Sequence, residues 1–593
     1  MDEKPISIWK KPLHGLRSLF LSWLGLMIAT WIIFEVIMLA VGARVAGEDI
    51  KLWAVFAVCA TIAVFLVLFI HWLFCWSNFK RFLFSLACLV TLIALGYVEE
   101  DWRGKHDWEK FTREWEARGE KFDFKDFVPP AVPDDQNFAV TPVVASCYDY
   151  ILTRDGKKIP SEQRDTNLVN RLAFDPGEIT RKINTVGNWA KQTTSNLKLW
   201  QAFYRDLATK TNLFPVSPQP QSPAADVLLA LSKYDATVEE LRQASQLPAS
   251  RFPLNYDTEC PADILLPHLA AMKESAQLLR MRAIAELPNG QSDKALADVQ
   301  LSMRLVGAIR TEPFLISHLV RIAMTEMALQ PVYEGLANRQ WTDAQLVALN
   351  AELAKLDFLA DYQFSMRGER AMTCAIIDFI SKRQSYKQYE AVLGEISDND
   401  GATTTSQLKN TVLAVGLYLM PVGWFAQNKL FIARNEQDWI TGVVFPEAHL
   451  VSPQKYREVG HAQDNIYSRP VKPWNFLAKE FSPALGAAGR KSSREQISVD
   501  LACTAIALER YRLAHGEFPE LLDVLPPQFI AQVPHDVING QSLKYRRTLD
   551  GQFVLYSVGW NEKDDGGVMF TSEGGTQPIF DKGDWVWRYP KRE

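Results

Sequence analysis

Long apolar runs dominate the first hundred residues and then stop. Leu19–Ala43, Leu52–Trp76 and Phe82–Val98 are apolar almost throughout. Each is long enough, or nearly so, for a helix of about 20 residues to cross a bilayer. The first is too long for a signal peptide, has no clear small-residue cleavage site and is followed by a second apolar run. Beyond Val98 the pattern changes. Glu99–Lys125 is densely charged with both signs, and Trp108, Phe111 and Trp115 recur at helical spacing. Two readings fit: an amphipathic helix resting on the membrane surface, or a helix packing its aromatic stripe on the next domain. PPAVPDD, Pro129–Asp135, then breaks the helix and starts an extended connector.

From about Ser161 to Ala488 the period is helical. Leu265, Leu269, Met272, Ala276, Leu279 and Ala283 step by four and three along one stripe. PNG, Pro288–Gly290, ends that helix, and Leu296, Val299, Met303 and Val306 form the next. TDAQ, Thr342–Gln345, is a capping box that starts a helix carrying Leu346, Leu349, Leu353 and Leu356. These pairs resemble tetratricopeptide-type hairpins in general form, around Gly290 and Ala295, but no repeat recurs at a period of about 34 residues. An irregular all-α domain is expected. The prolines at 215, 218, 220 and 223 mark a loop, and Ser397–Gln407 reads as mobile. Thr411–Ala426 is apolar but short for a span and contains Pro421. It is expected to be a buried or membrane-resting helix.

The basic residues orient the spans. Lys4, Lys10, Lys11 and Arg17 precede the first run, and Lys80 and Arg81 separate the second from the third. Arg44 and Lys51 in the other loop are offset by Glu48 and Asp49. The N-terminus is therefore expected in the cytoplasm, and three crossings place everything after Val98 outside. Glu35 lies inside the first run, with Thr61 and Thr91 at similar depth on the other two. A carboxyl group at that depth needs a partner, so a protonated Glu35 hydrogen-bonding to one or both hydroxyls would fix the helix packing. A proton or ligand relay is the weaker reading, because the other ionisable group in the bundle, His71, lies near the inner end.

A net charge of −5 over 593 residues leaves no basic footprint for nucleic acid. The seven cysteines, at 59, 75, 88, 147, 260, 374 and 503, include no CxxC pair, which argues against a disulfide framework or a zinc site. Outside the cytoplasm, Cys147, Cys260, Cys374 and Cys503 could pair, in combinations the sequence leaves open.

The last hundred residues read differently. SREQ, Ser493–Gln496, has the form of a capping box, and Ile497, Leu501, Ala505, Leu508 and Tyr511 follow along one helix face. The helix ends at Gly516. Leu543–Arg547 and Phe553–Val558 flank Asp550-Gly551, a strong hairpin signal. FVLYSVGWNEKDDGG then runs into a loop of paired aspartates and glycines. With ALERYRLAHGEFPELL, the Pro534–Asp536 turn, Tyr545 and the Asp581–Trp585 end, this order resembles the periplasmic domain of the major pseudopilin of type II secretion systems. That resemblance implies a calcium-binding loop at Asp564 and Asp565, closed by Asp581 or Asp584. A Gly-containing loop can present carboxylates and carbonyls together to calcium, although GWNEKDDGG is not an EF-hand. The alternative is a hairpin-flanking turn with solvated aspartates. A pseudopilin helix follows directly on a leader and an apolar spine, whereas here about 490 residues intervene. The module therefore looks like a reused domain. The whole architecture is similar to large uncharacterised bacterial membrane proteins, with DDQNFAVTP after the stalk and GDWVWRYP at the end.

The expected fold is thus membrane-anchored: three transmembrane helices in 1–98, a stalk and connector in 99–140, a mainly-α ectodomain in 141–490 and an α+β pseudopilin-like domain in 491–593. No HExxH, GxSxG or CxxC is present, and GAAGRKSS, Gly486–Ser493, lacks the spacing and the preceding strand of a phosphate loop. It reads as a flexible basic linker. His449 and His461 lie near Glu447, Glu458 and Asp464, a loop in which a metal or acid–base site competes with plain solvation. No catalytic or cofactor-binding residue stands out. The expected function is a non-catalytic envelope scaffold in the bacterial inner membrane, related to secretion, whose partners are the lipid bilayer and other envelope proteins. An extracytoplasmic hydrolase is the alternative. A sensor would need a cytoplasmic output domain, which this sequence does not present.

Overall fold

Trp76–Glu116 is one uninterrupted helix of 41 residues, α1. The computed structural model describes residues 76–148, 150–152, 158–160, 171–174, 186–382, 385–389, 404–470, 472, 474–481, 486–571 and 578–590, with six isolated helical positions before 76. Among the described residues α1 is the one helix long and apolar enough to cross a membrane, where three were expected. The runs 19–43 and 52–76 lie almost entirely outside the described residues, as does the stretch 390–403. The chain is mostly helical, with a small strand region at its C-terminal end.

Two units divide the chain, Met1–Glu100 and Asp101–Glu593. In the first, α1 is exposed from Leu83 to Glu99. In the second, Trp108, Phe111 and Trp115 pack with Phe122, Leu430 and Ala433. The aromatic stripe thus covers protein rather than membrane. A Cβ on Gly104 would lie 2.0 Å from the Gly423 carbonyl oxygen, so only glycine allows this approach.

The helical mass of this unit is built from α2 (Leu197–Lys210), α3 (Pro223–Leu231), α4 (Asp235–Ala244), α5 (His268–Glu286), α6 (Ser292–Ala308), α7 (Leu315–Ala337), α8 (Asp343–Leu353) and α9 (Phe358–Ser381). It continues with α10 (Thr404–Tyr418), α11 (Val422–Thr441), α12 (Pro453–Tyr467) and α13 (Gly486–His515). Local chemistry sets many of the boundaries. Thr342 and Gln345 close the expected capping box at α8. Ser222 and Ser452 cap α3 and α12, each followed by proline at the first helical position. The expected loop between α2 and α3 is present. Thr411–Ala426 is not one helix: α10 ends at Tyr418, and Pro421 caps α11.

The expected start of the C-terminal helix is overturned. Gly486–His515 is a single helix of 30 residues, so the segment read as a flexible linker is helical. Position 491, drawn as a domain boundary, falls inside it. Ser493 donates to the Gly489 carbonyl at 2.7 Å, and the Gln496 side chain accepts from the Phe358 N–H at 2.8 Å, so neither residue caps anything. Every residue from Glu495 to Glu509 is buried, not one face alone. A helix covered all round is a core helix, and α13 packs against α7, α8, α9, β6 and β9.

Among the described residues, four small sheets complete the unit. β1 (Tyr150–Leu152) pairs antiparallel with β2 (Lys158–Pro160), and β3 (Val444–Phe445) with β4 (Leu450–Val451). The expected hairpin forms from β5 (Lys544–Arg547) and β6 (Phe553–Ser557), with Tyr545 opposite Leu555. β9 (Trp585–Trp587) adds to the other edge of β6, while β7 (Met569–Thr571) pairs with β8 (Pro578–Gly583). The terminal aromatics seat this sheet on the helices. The Trp587 ring lies 5.4 Å from Trp189 and 5.3 Å from Tyr333, whose hydroxyl donates to the Arg588 carbonyl at 2.7 Å.

Candidate functional site

The aspartates of the 559–567 loop are held by the protein itself. Asp584, only 1% exposed, accepts backbone N–H bonds from Asp565 at 3.2 Å, Gly567 at 2.6 Å and Val568 at 3.3 Å. Asp564 accepts from the Tyr556 hydroxyl at 2.9 Å and the Gly566 N–H at 3.0 Å. The Gly566 amide, and then Tyr556, hold its carboxyl below the usual range. Asp565 accepts from the Asn561 side chain at 2.8 Å, and Asp581 pairs with Arg490 at 2.7 Å. The two glycines answer to geometry: Gly566 and Gly567 have φ of +74° and +78°, and a Cβ on Gly567 would meet Val554 at 2.9 Å. Each of the four carboxylates that the resemblance assigns to calcium thus has a partner within the protein. Among the described residues, no three His, Cys, Asp or Glu side chains come together as metal ligands.

Of the intramembrane polar residues, Glu35 and Thr61 lie outside the described residues, as does His71. Thr91 donates to the Ala87 carbonyl of its own helix at 2.8 Å. Cys374 and Cys503 are buried free thiols, and burial raises both above the usual thiol range, Cys374 to about 12.

Among the described residues, His449 belongs to an arrangement that opens on a pocket and has the shape of a chemical site. His449 lies between β3 and β4 in the left-handed conformation, φ 49° and ψ 46°, which a non-glycine residue rarely adopts. Its Nε2 is 3.0 Å from an Asp500 carboxylate oxygen, and the other oxygen of Asp500 accepts from the Gln496 side chain at 3.0 Å. His535 Nε2 donates to the His449 carbonyl at 3.1 Å, and the two rings meet edge to face at 5.4 Å. A carbonyl can only accept, so the proton of a neutral His535 is on Nε2 and its Nδ1 is an acceptor. The hydrogen bond to Asp500 outweighs burial and raises the His449 pKa. These residues line a pocket of about 500 Å³, together with Asp357 and Cys503. Such a pair can hold and pass a proton near neutral pH. Cys503 stays a thiol there and is a poor nucleophile.

His461, read beside His449, is instead exposed on α12. The acidic residues read beside these histidines in the sequence, Glu447, Glu458 and Asp464, are not the partner of His449, which is Asp500. Asp500 gave a signal in the sequence, a carboxylate directly between the apolar Val499 and Leu501. His535 sits in the PHD turn, where Asp536 holds the chain by accepting from Ile538 N–H at 3.0 Å, Ser557 at 2.9 Å and Val558 N–H at 2.9 Å. Comparison with family models, with curated proteins and with solved structures finds no match for this chain.

Proposed function

We propose that the chain is a membrane-anchored scaffold of the bacterial cell envelope. It crosses the inner membrane more than once, with a cytoplasmic N-terminus, and presents Asp101–Glu593 outside the cytoplasm to other envelope proteins. The observation that carries this reading is the continuity of α1: an exposed apolar stretch, 83–98, runs without a break into a large folded unit. A helix that cannot bury its apolar surface in protein needs lipid. A role related to secretion rests on the sequence resemblance of the C-terminal residues to the pseudopilin periplasmic domain. The test is a fusion after Glu593 to a reporter that works only outside the cytoplasm, combined with membrane fractionation. Activity in the membrane fraction is expected; a reporter active only in the cytosol refutes the orientation.

A second reading, an extracytoplasmic hydrolase, is favoured by the His449–Asp500 pair in its pocket. Membranes carrying the wild-type chain would then hydrolyse ester or amide probes, and His449→Ala and Asp500→Asn would abolish this without loss of protein. Equal rates in the variants would dismiss it.

A further inference from the structure

The corner between α10 and α11 presents apolar side chains to solvent in a pattern that water does not favour. Val412, Val415 and Gly416 share one face of α10, at spacings of three and four, and Leu419 lies just past its end. Val412 is 65% and Leu419 58% exposed, and Val422 at the start of α11 is 62% exposed. Tyr418 is exposed beside them. The opposite face, Ala414 and Leu417, is buried against Ile376, Ile377 and Ile380. An amphipathic surface helix turns polar residues outward. Here both faces are apolar, and no charged residue occurs from Thr411 to Asn428. A contiguous exposed apolar patch marks a binding surface.

The chain indicates what covers it. Asp101 follows the apolar run 82–98 by three residues within the same helix, about 1.5 Å of rise for each. Its carboxylate accepts from the Gly423 N–H at 2.7 Å, and Gly104 packs on Gly423. The patch is thus pinned to the part of α1 that belongs to the second unit. Trp102 is exposed beside Asp101, and Trp474, stacked edge to face on Trp424, is also exposed. Tryptophan and tyrosine in such positions suit the bilayer interface. A pocket of about 460 Å³ adjoins them, lined by Arg103, Arg434 and Trp474, with Asp107 as its carboxylate. Two guanidinium groups beside an indole suit a phosphate headgroup.

From this arrangement we infer that the 412–422 corner is a second membrane contact, dipping its valines and leucine among the acyl chains of the leaflet that α1 leaves. It holds the extramembrane unit against lipid at two points rather than letting it swing on one. The inference rests on the reading of α1 as a membrane span, and the test separates the two. A photo-reactive amino acid is placed singly at positions 412, 419, 92 and 549 of the full chain, in membranes containing an alkyne-tagged phospholipid. Leu92 lies in the apolar run, and Leu549 is at the exposed hairpin tip. Lipid adducts are expected at 92, 412 and 419, several-fold above those at 549. Adducts at 92 without any at 412 and 419 overturn the second contact and leave the anchor standing. Cross-links from 412 or 419 to a second copy or to another protein also overturn it. Absence of lipid adducts at position 92 refutes the anchor, and the inference falls with it.

Discussion

The loop after β6 and the interior between α9 and α11 both bury carboxyl groups, and they do so in opposite ways. Asp584 is surrounded by backbone N–H groups, three of which point at it. Glu436 on α11 is fully buried with neither oxygen bonded. Burial, and then the charge of Glu369, push it well above the usual carboxylate range. A third carboxylate in that same interior is treated differently again. Burial pushes Glu120 upward, but hydrogen bonds from Arg367 and Arg370 outweigh it and hold the group below its ordinary value. A buried carboxyl group is thus met by amides that burial still outweighs, so that Asp584 is raised, or held as an anion by guanidinium groups, or left to keep its proton. Only the first of these builds a turn.

The sharpest way to break the comparison is to remove Arg370, fully buried, which donates to Glu120 at 2.8 Å. Arg370→Met is expected to cost about 3–5 kcal/mol, because it leaves a buried charge half-compensated. Chemical denaturation of the detergent-solubilised chain measures this, and adding Glu120→Gln should recover part of the loss. A cost no greater than that of a surface substitution would mean Glu120 is not held as an anion.

Asp584→Ala strips the loop amides of their acceptor and should cost about 2–3 kcal/mol. Limited proteolysis is expected to open the chain between Gly559 and Gly567 first. Calcium at millimolar concentration should leave the wild-type melting temperature where it is. A large rise, lost in Asp584→Ala, would show that the loop rearranges around the ion.

Glu436→Gln works in the other direction. The folded pKa of Glu436 lies above its unfolded value, so its contribution is complete below the unfolded pKa and declines as pH rises toward the folded one. The variant should match wild type near pH 4.5 and exceed it by about 1–2 kcal/mol at pH 8. Parallel pH profiles for the two proteins would rule out a neutral Glu436.

The smallest effect is expected at the histidine pocket. The folded pKa of His449 is raised, so its pairing with Asp500 contributes fully below the ordinary histidine value and is lost as pH rises through the elevated one. His449 keeps part of its side chain in water, and Asp500→Asn should cost about 1 kcal/mol or less at pH 5.5 and nothing at pH 9. A loss that grew with pH would reverse the assignment.

What could be read beforehand follows the range over which each feature is decided. TDAQ announces the start of α8 because Thr342 and Gln345 bond to each other's backbone three residues apart. Asp550-Gly551 announces the hairpin because the turn alone fixes its register. That α1 is long and apolar enough to cross a membrane was legible from its sequence. The continuity of α13 was not: Ser493 and Gln496 look like a cap, and only the burial of that stretch against α7 and α9 keeps it helical. Asp584 was named, but its amide partners lie 16 to 19 residues away, so its role as a staple was hidden. Glu436 gave no sign, since a glutamate in a helix normally faces water.

The central placement of α13 has a consequence for how the protein is made. The groove lined by α7, α8 and α9 is filled by residues that leave the ribosome some 150 positions later. Until then its apolar walls stay open, and the unfinished chain is a ready substrate for chaperones or proteases. Loss of the final hundred residues would therefore not yield a smaller protein lacking one module. It would remove the axle on which the remaining helices close.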